Sequence, residues 1–192
     1  MIWTAGLASF KFALVALFTY GINCYLLVIF YRLNRRRALI KHKEIKKSFY
    51  QSVPPTKWPR VTIQLPIFNE RYVVERLITS VCRLNYPREL LEVQVLDDST
   101  DDTVAIAQSV VKEMQLDGFD VVYRHRRNRE GFKAGALREG MQTAKGDLLG
   151  IFDADFVPNP DFLSESVPYF LDSNVGMLQT RWGHINSDYS LL

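Results

Sequence analysis

Polar residues that can bind a ligand follow three short apolar runs of the chain. The three groups are residues 66–70, Asp97 with Asp98, and Asp153 with Asp155. Carboxylates held close together repel one another unless a divalent cation or hydrogen-bond donors neutralise them. If the fold brings the four aspartates to one edge, they therefore predict a site for a cation or a polar ligand.

The Asp153-Ala154-Asp155 sequence has the spacing of a metal–diphosphate site. Side chains two residues apart in an extended segment point to the same side. Mg²⁺ is typically held by one or two carboxylates and by phosphate oxygens of a substrate, and waters complete its octahedron. Helix capping is the structural alternative for such a motif. Its place directly after an apolar run favours a site for Mg²⁺ or Mn²⁺ on Asp153 and Asp155.

Asp97 and Asp98 have two interpretations. One of them can cap the helix predicted to begin near residue 101, because aspartate is a preferred N-cap residue. Four nearer residues suit that position as well, namely Ser99, Thr100, Asp101 and Asp102. With the cap supplied there, a carboxylate of the pair is free to accept a hydrogen bond from a nucleobase N–H or a ribose hydroxyl.

Cations lie close to the acidic groups. Lys133 opens a predicted helix, where the positive end of the helix dipole disfavours a cation. A phosphate partner explains this lysine better than solvation does. Arg126, Arg127 and Arg129 form a basic loop just before it, and they either meet a diphosphate or remain solvated.

Alternating strands and helices carry these groups. The apolar patterns predict strands over residues 61–65, 91–96, 120–123, 148–152 and 175–182, with Pro66 ending the first. Helices are predicted between them, the first capped by Asn69, a later one from Lys133 to residue 143, and the last over residues 160–171. This order predicts an α/β fold with a doubly wound, mostly parallel sheet and helices on both faces. Ligands bind beyond the carboxyl ends of such strands, where the three polar groups fall.

Composition and motifs argue against several classes of protein. Residues 1–60 carry 11 Lys and Arg and one acid, whereas residues 61–192 carry 13 Lys and Arg and 20 acids. The larger part is therefore acidic, which argues against nucleic-acid binding. No P-loop and no G-x-G-x-x-G motif occurs, which disfavours a P-loop NTPase and a Rossmann dehydrogenase. Cys24 and Cys82 lie among apolar residues and are interpreted as small buried side chains.

Residues 12–31 form a run of 20 residues without a charge. A helix of that length spans the roughly 30 Å hydrocarbon core of a bilayer. A cleaved signal peptide and a buried core helix are the alternatives, but here the basic residues follow the apolar run instead of preceding it. The run therefore predicts a transmembrane helix in the cell (inner) membrane. The eight Lys and Arg between residues 32 and 47 predict that everything after the helix is cytoplasmic, and they can also lie against anionic lipid headgroups.

Four ordered motifs resemble those of family-2 glycosyltransferases, most closely the membrane-bound cellulose-synthase-like and glucomannan-synthase-like branch. The motifs are Leu65-Pro66-Ile67-Phe68-Asn69-Glu70, Val95-Leu96-Asp97-Asp98-Ser99-Thr100-Asp101-Asp102-Thr103, Gly131-Phe132-Lys133-Ala134-Gly135-Ala136-Leu137 and Ile151-Phe152-Asp153-Ala154-Asp155-Phe156. The resemblance runs from about Val61 to the C-terminus. It implies a GT-A fold and an inverting transfer of a hexose from a nucleotide-diphosphate sugar to a polysaccharide or lipid acceptor.

The resemblance also implies roles for individual residues. Asp97 or Asp98 would hold the nucleoside. Asp153 would contact the nucleotide, Asp155 would bind the metal and Lys133 would lie near the nucleotide. The remaining donor-binding residues would form part of the nucleoside pocket, namely Pro66, Phe68, Asn69 and Glu70.

The chain is accordingly expected to have three parts. These are a transmembrane anchor over residues 1–31, a basic juxtamembrane segment and Pro-rich linker over residues 32–60, and a nucleotide-sugar-binding domain over residues 61–192 that is incomplete at its C-terminus.

The chain departs from the family's pattern near its end. Family members continue to a catalytic aspartate, often in T-E-D, and to Q-x-x-R-W, and neither motif occurs here. The sequence Gln179-Thr180-Arg181-Trp182 has one residue between Gln and Arg instead of two. We therefore expect the catalytic base beyond Leu192, and a chain that is a fragment, a truncated product or an incomplete reading frame and is inactive alone. The alternative is a non-catalytic nucleotide-sugar-binding or scaffold remnant.

Overall fold

The structure is a computed structural model, and it describes residues 2–180 and residue 183. Its helices and strands in chain order are α1 (Ile2–Ser52), β1 (Val61–Ile67), α2 (Val74–Cys82), β2 (Leu91–Asp97), α3 (Thr103–Leu116), β3 (Asp120–His125), α4 (Phe132–Met141), β4 (Leu148–Ile151) and α5 (Phe162–Ser166). Short 3-10 helices cover Pro55–Lys57, Arg88–Leu90 and Val167–Leu171. The chain divides into two compact units, Met1–Ser48 and Phe49–Leu192.

Most of the first unit belongs to α1. This helix contains a segment that is long and apolar enough to cross a membrane, with a mean hydropathy of 2.1, and none of that segment is buried. The helix continues through the basic residues and ends at Ser52, just before Val53-Pro54-Pro55. Proline disfavours helical backbone at the residue before it, which explains why the helix ends there.

The second unit is built on a four-stranded parallel sheet with the order β3-β2-β1-β4. The chain moves outward from β1 to β3 and then crosses back to add β4 on the other side of β1. Because parallel crossovers are right-handed, this reversal places helices on both faces of the sheet. The predicted α/β class with a doubly wound parallel sheet is confirmed.

Side chains of β1 alternate between two environments. Ile63 and Leu65 are fully buried in the apolar core that also contains residues of α2, such as Leu77. Gln64 lies on the opposite face, where its side-chain amide donates to Leu137 O of α4 at 3.4 Å. The sheet is therefore covered by α2 on one face and by α4 on the other.

Pro66 does not end the first strand, contrary to the sequence prediction, because β1 continues to Ile67. Phe152 N–H donates to Gln64 O at 3.3 Å, so the backbone groups of alternate residues in β1 face β4. The pairing with β4 stops at Gln64 opposite Ile151. Pro66 therefore lies beyond the last residue pair of β1 with β4. The N–H that proline lacks would have had no strand partner there, which makes the proline acceptable.

Two other predicted elements differ from the structure. Residues 175–180 of the predicted fifth strand are irregular, and Arg181 and Trp182 lie outside the described residues. The predicted helix over residues 160–171 is instead the five-residue α5 followed by a 3-10 helix. Pro168 explains the tightening, because proline disrupts α-helical hydrogen bonding after the first turn.

Candidate functional site

A cleft of about 590 Å³ lies at the carboxyl ends of β1, β2 and β4. Eight residues singled out from the sequence line it, namely Pro66, Phe68, Glu70, Asp98, Arg129, Lys133, Asp153 and Asp155. Four further lining residues are Ile67, Leu96, Ala136 and Ala154. The strand ends thus bring residues from three separate sequence motifs to one cleft.

Asn69 does not line the cleft and does not cap α2. The N-cap residue of α2 is Val73, and no side chain bonds to its free amides. Asn69 has a left-handed backbone, with φ of 57°, which asparagine tolerates better than most residues. Its N–H donates to Ser99 Oγ at 2.8 Å, and its Oδ1 accepts from Thr100 N–H at 2.9 Å. Asn69 therefore joins the loop after β1 to the loop after β2.

Asp97 is fully buried and is occupied by neighbours within the fold. Tyr123 O–H donates to Asp97 Oδ2 at 2.6 Å, and Ser99 N–H donates to Asp97 Oδ1 at 2.7 Å. Burial and then this hydrogen bond raise the pKa of Tyr123, so the tyrosine remains a proton donor to the carboxylate. Asp97 holds β2, β3 and the loop between β2 and α3 together, and it does not line the cleft.

Asp98 lies at the cleft and pairs with Arg126. Arg126 Nε donates to Asp98 Oδ1 at 2.7 Å, and a terminal nitrogen donates to Oδ2 at 2.6 Å. Both side chains are almost buried, at 9% and 5% exposure. Hydrogen bonding to Asp98 raises the pKa of Arg126, which keeps the guanidinium charged. Arg126 is thus neither solvated nor directed at a ligand.

Arg129 lies over an aromatic ring of the cleft. Its guanidinium carbon is 3.2 Å from the ring centroid of Phe68 and 5.4 Å from that of Phe132. A guanidinium over an aromatic face is attracted by the ring quadrupole. Phe68 and Arg129 both line the cleft and give this side of it planar groups suited to stacking, whereas Phe132 is not a lining residue.

The two aspartates after β4 have different partners. Lys133 Nζ forms an ion pair with Asp153, and both side chains remain about half exposed. Asp155 is exposed, and among the described residues nothing bonds to its carboxylate. One acid therefore already has a cation from the chain, whereas the other is available.

The carboxylates of the cleft fit a divalent cation only together with a ligand. Within the described residues, no group of three or more His, Cys, Asp or Glu side chains is placed to hold a metal ion. Mg²⁺ commonly needs only one or two carboxylates when substrate phosphates supply further oxygens. Asp153 and Asp155 both line the cleft and supply two carboxylates, although a turn, in which Phe156 N–H donates to Asp153 O at 3.1 Å, replaces the extended backbone expected from the sequence. Lys133, which pairs with Asp153, can balance phosphate charge.

Sequence reasoning missed two residues of this region. It left Arg126 open between diphosphate contact and solvation, and it did not single out Tyr123. Both are bound to the Asp97-Asp98 pair, across 26 and 28 residues of sequence. The only signal in the sequence was an acidic pair that required neutralisation.

Comparisons with known proteins place this geometry in context. "Glucomannan 4-beta-mannosyltransferase 1" of Oryza sativa subsp. japonica is 41% identical over 140 residues, which are 70% of this chain and 27% of that protein. "Glucomannan 4-beta-mannosyltransferase 2" of Arabidopsis thaliana is 44% identical over 144 residues, which are 71% of this chain and 27% of that protein. The chain thus spans about a quarter of the length of these curated relatives.

Solved structures share the fold. The mannosyltransferase PcManGT from Pyrobaculum calidifontis, in complex with GDP-Man and Mn²⁺, has a TM-score of 0.56 and 30% identity, covering 72% of this chain and 41% of that one. S. aureus TarS 1-349 in complex with UDP has a TM-score of 0.51 at 21% identity, covering 59% of this chain and 32% of that one. This second similarity shows the fold alone. Residues 62–191, most of the second unit, match the sequence family described as "Glycosyl transferase family 2". The chain therefore belongs to glycosyl transferase family 2.

Proposed function

We propose that this chain is the donor-binding part of a membrane-anchored, inverting glycosyltransferase. The whole protein would transfer a hexose from a nucleotide-diphosphate sugar to a polysaccharide or lipid acceptor. The observation that carries this proposal is the cleft in which Asp153, Asp155 and Lys133 meet Phe68 and Asp98. Carboxylates, a lysine and a stacking surface suit a divalent cation, a diphosphate and a nucleoside respectively.

The chemistry of these side chains suggests a role for each. Asp155 and Asp153 would hold Mg²⁺ or Mn²⁺, which when bound supplies positive charge to the diphosphate leaving group. Lys133 would move from Asp153 toward the phosphate oxygens, which carry more negative charge than one carboxylate. Phe68 would stack on the base, and Asp98 would accept a hydrogen bond from it with a lone pair that Arg126 leaves free.

Similarity to named proteins supports a mannosyl donor as the first one to test. Two relatives more than 40% identical to this chain are named glucomannan 4-beta-mannosyltransferases. A solved mannosyltransferase at 30% identity is described with GDP-Man and Mn²⁺. GDP-mannose is therefore the donor that we propose, with a growing polysaccharide as the acceptor.

Membrane attachment through α1 completes the proposal. The apolar segment of this helix is unburied throughout, as expected for a surface covered by lipid. The second unit would face the cytoplasm, because the positive-inside rule places the basic residues after the apolar run on that side of the membrane.

Calorimetric titration of the full chain in detergent tests the donor-binding role. GDP, UDP and GDP-mannose are each added with and without Mn²⁺, and circular dichroism confirms that the sample is folded. We expect a nucleotide to bind only when the metal is present. A folded sample that binds none of the three in either condition would overturn the proposal.

A further inference from the structure

Arg126 directs all of its side-chain donors at groups within the fold. It is the first residue after β3, and its own N–H donates to Asp97 O at 2.9 Å. Its guanidinium forms the two-point pair with Asp98 described above. Such forked pairing is specific to arginine, because a lysine ammonium offers its donors from one nitrogen atom. Both side chains are largely shielded from water, so the loss of either would leave the other charge poorly compensated.

The remaining donors of Arg126 bind the end of the loop that precedes α4 and the first residue of that helix. They donate to Phe132 O at 3.0 Å and to Glu130 O at 3.3 Å. A second acid, Glu139 of α4, lies 3.7 Å away. One guanidinium thus links the end of β2 to both carbonyls that flank Gly131.

The loop adopts a backbone conformation that requires such support. Gly131 has φ of 70°, and Phe132 has φ of 49° although it carries a bulky side chain. A left-handed bulky residue is strained and persists only when its surroundings hold it. The bond from Arg126 to Phe132 O acts directly at the strained residue.

The first turn of α4 is packed tightly against this loop. A Cβ atom on Gly135 would lie 1.9 Å from Glu130 O and 3.0 Å from a terminal nitrogen of Arg126. The start of α4 therefore leaves no room for a side chain at Gly135 between the helix, Glu130 O and Arg126. Lys133 is the second residue of α4, and Arg129 lies in the same loop, and both line the cleft.

We propose that Arg126 is a positioning residue for the donor site. By binding Asp98, Glu130 O and Phe132 O together, it fixes the loop over residues 126–132 and sets Lys133 against the diphosphate position. Arg126 itself does not line the cleft, so it acts through the position of Lys133. This inference rests on the proposed donor-binding function.

A double-mutant cycle between Arg126 and Lys133 tests the proposal, since no direct contact joins the two side chains in the described structure. The full chain in detergent is titrated with GDP and UDP in the presence of Mn²⁺ as wild type, R126K, K133Q and R126K/K133Q. We expect R126K and K133Q each to weaken binding about tenfold, and the double variant to be scarcely weaker than either. The proposal would be overturned if the fold losses of affinity in the two single variants multiply in the double variant. It would also be overturned if R126K binds the nucleotide with wild-type affinity.

Arg60→Lys is the matched control for a general loss of stability. Arg60 pairs with Asp120 at 2.9 Å at the amino ends of the strands, away from the cleft, with 35% of its side chain exposed. R60K should keep the affinity for the nucleotide within about twofold of wild type. An R60K affinity that falls as far as that of R126K would show that Arg126 acts only through global stability.

Two outcomes separate this inference from the function on which it rests. If folded wild type binds neither nucleotide, the proposed function fails and this inference fails with it. If wild type binds and the cycle is additive, only the positioning role fails.

If R126K does not fold, D98N/R126Q replaces it in the same cycle with K133Q, because this pair of changes leaves no buried charge unpaired. Additive losses of affinity in that cycle would overturn the proposal equally.

Discussion

Asp155, with its free carboxylate among the described residues, is the residue on which the metal proposal depends most. Asp155→Ala should abolish metal-dependent nucleotide binding, because the exposed side chain has no partner among the described residues and no part in packing. Calorimetry with GDP and Mn²⁺ measures the loss, and circular dichroism should show an unchanged fold.

The matched control for Asp155 is another exposed aspartate. Asp117 lies at the end of α3, away from the cleft. Asp117→Ala should leave the affinity unchanged. An Asp155→Ala variant that keeps the metal affinity of wild type, or loses its fold, would contradict the assignment.

Lys133 gives a second prediction at the residue scale. Lys133→Gln should weaken the binding of nucleoside diphosphates by about ten- to a hundredfold, since a hydrogen bond to a charged group contributes about 1.5–3 kcal/mol. Lys133→Arg keeps the charge and should retain most of the affinity. The binding of free nucleoside, which lacks the diphosphate, should be the same in all three proteins, and a parallel loss there would show that Lys133 does not act on the phosphates.

Cys82 illustrates how burial alone sets reactivity. The thiol is 2% exposed, and burial raises its pKa to about 12. Cys24 is exposed, contrary to the interpretation of both cysteines as buried, and it is therefore replaced in this test. In a Cys24→Ser background, we expect no reaction of the folded protein with a thiol reagent at pH 8, and rapid reaction after unfolding. Because an unfolded thiol ionises near pH 8.5 while the folded one does not, this group makes the free energy of unfolding fall as the pH rises from about 9 toward 12. Equal reaction rates for folded and unfolded protein would refute the prediction.

At the scale of elements, a polar ladder joins β1 and β2 beneath the end of α4. Thr62 Oγ1 donates to the buried Glu92 at 2.6 Å, and Gln64 Nε2 donates to Gln94 Oε1 at 3.0 Å. Lys145 N–H adds a bond to Glu92 at 2.8 Å. Buried polar groups are tolerated only when bonded, so the ladder requires α4 and its following loop to lie in one position.

Gly140 tests how closely α4 approaches this ladder. A Cβ atom there would lie 2.7–2.9 Å from Gln64, Leu96 and Gln94 side-chain atoms. Gly140→Ala should therefore lower the free energy of unfolding by about 1–3 kcal/mol, the cost typical of overpacking. Urea unfolding followed by circular dichroism measures it. Gly176→Ala, where a Cβ would meet nothing within 4 Å, is the control, and equal effects of the two variants would refute the packing argument.

At the scale of the whole molecule, α1 should place the second unit in the cytoplasm. Eight Lys and Arg lie between residues 32 and 47, against Lys11 alone before the apolar run. Moving each charge across the membrane against the potential costs about 2.3 kcal/mol per 100 mV. Fusions of alkaline phosphatase and of green fluorescent protein after Pro59 report the orientation in bacteria. We expect a fluorescent protein fusion and an inactive phosphatase fusion, and the reverse pattern would contradict both the topology and the supply of a cytoplasmic donor.

The sequence alone was sufficient for the class of the fold and for the order of the elements from β1 to β4. Sequence patterns predicted β2 and the start of α3 within one or two residues, since such patterns are a local property of the chain. The expectation that polar groups after three strands would meet also followed from sequence, because the carboxyl ends of parallel strands share one edge. The pattern over residues 175–180 misled, because a short apolar run does not by itself supply a pairing strand.

The tertiary structure decided which of the gathered groups remain available to a ligand. Asp97 and Asp98 are adjacent and chemically identical, yet they have different partners. Tyr123 donates a hydrogen bond to Asp97 inside the fold, whereas Arg126 pairs with Asp98 at the cleft. Pro66 is acceptable within a strand only because β4 ends beside it. Each of these outcomes depends on a partner more than 25 residues away in the chain. Local patterns contain no information about such partners, whereas the packing of the sheet specifies them.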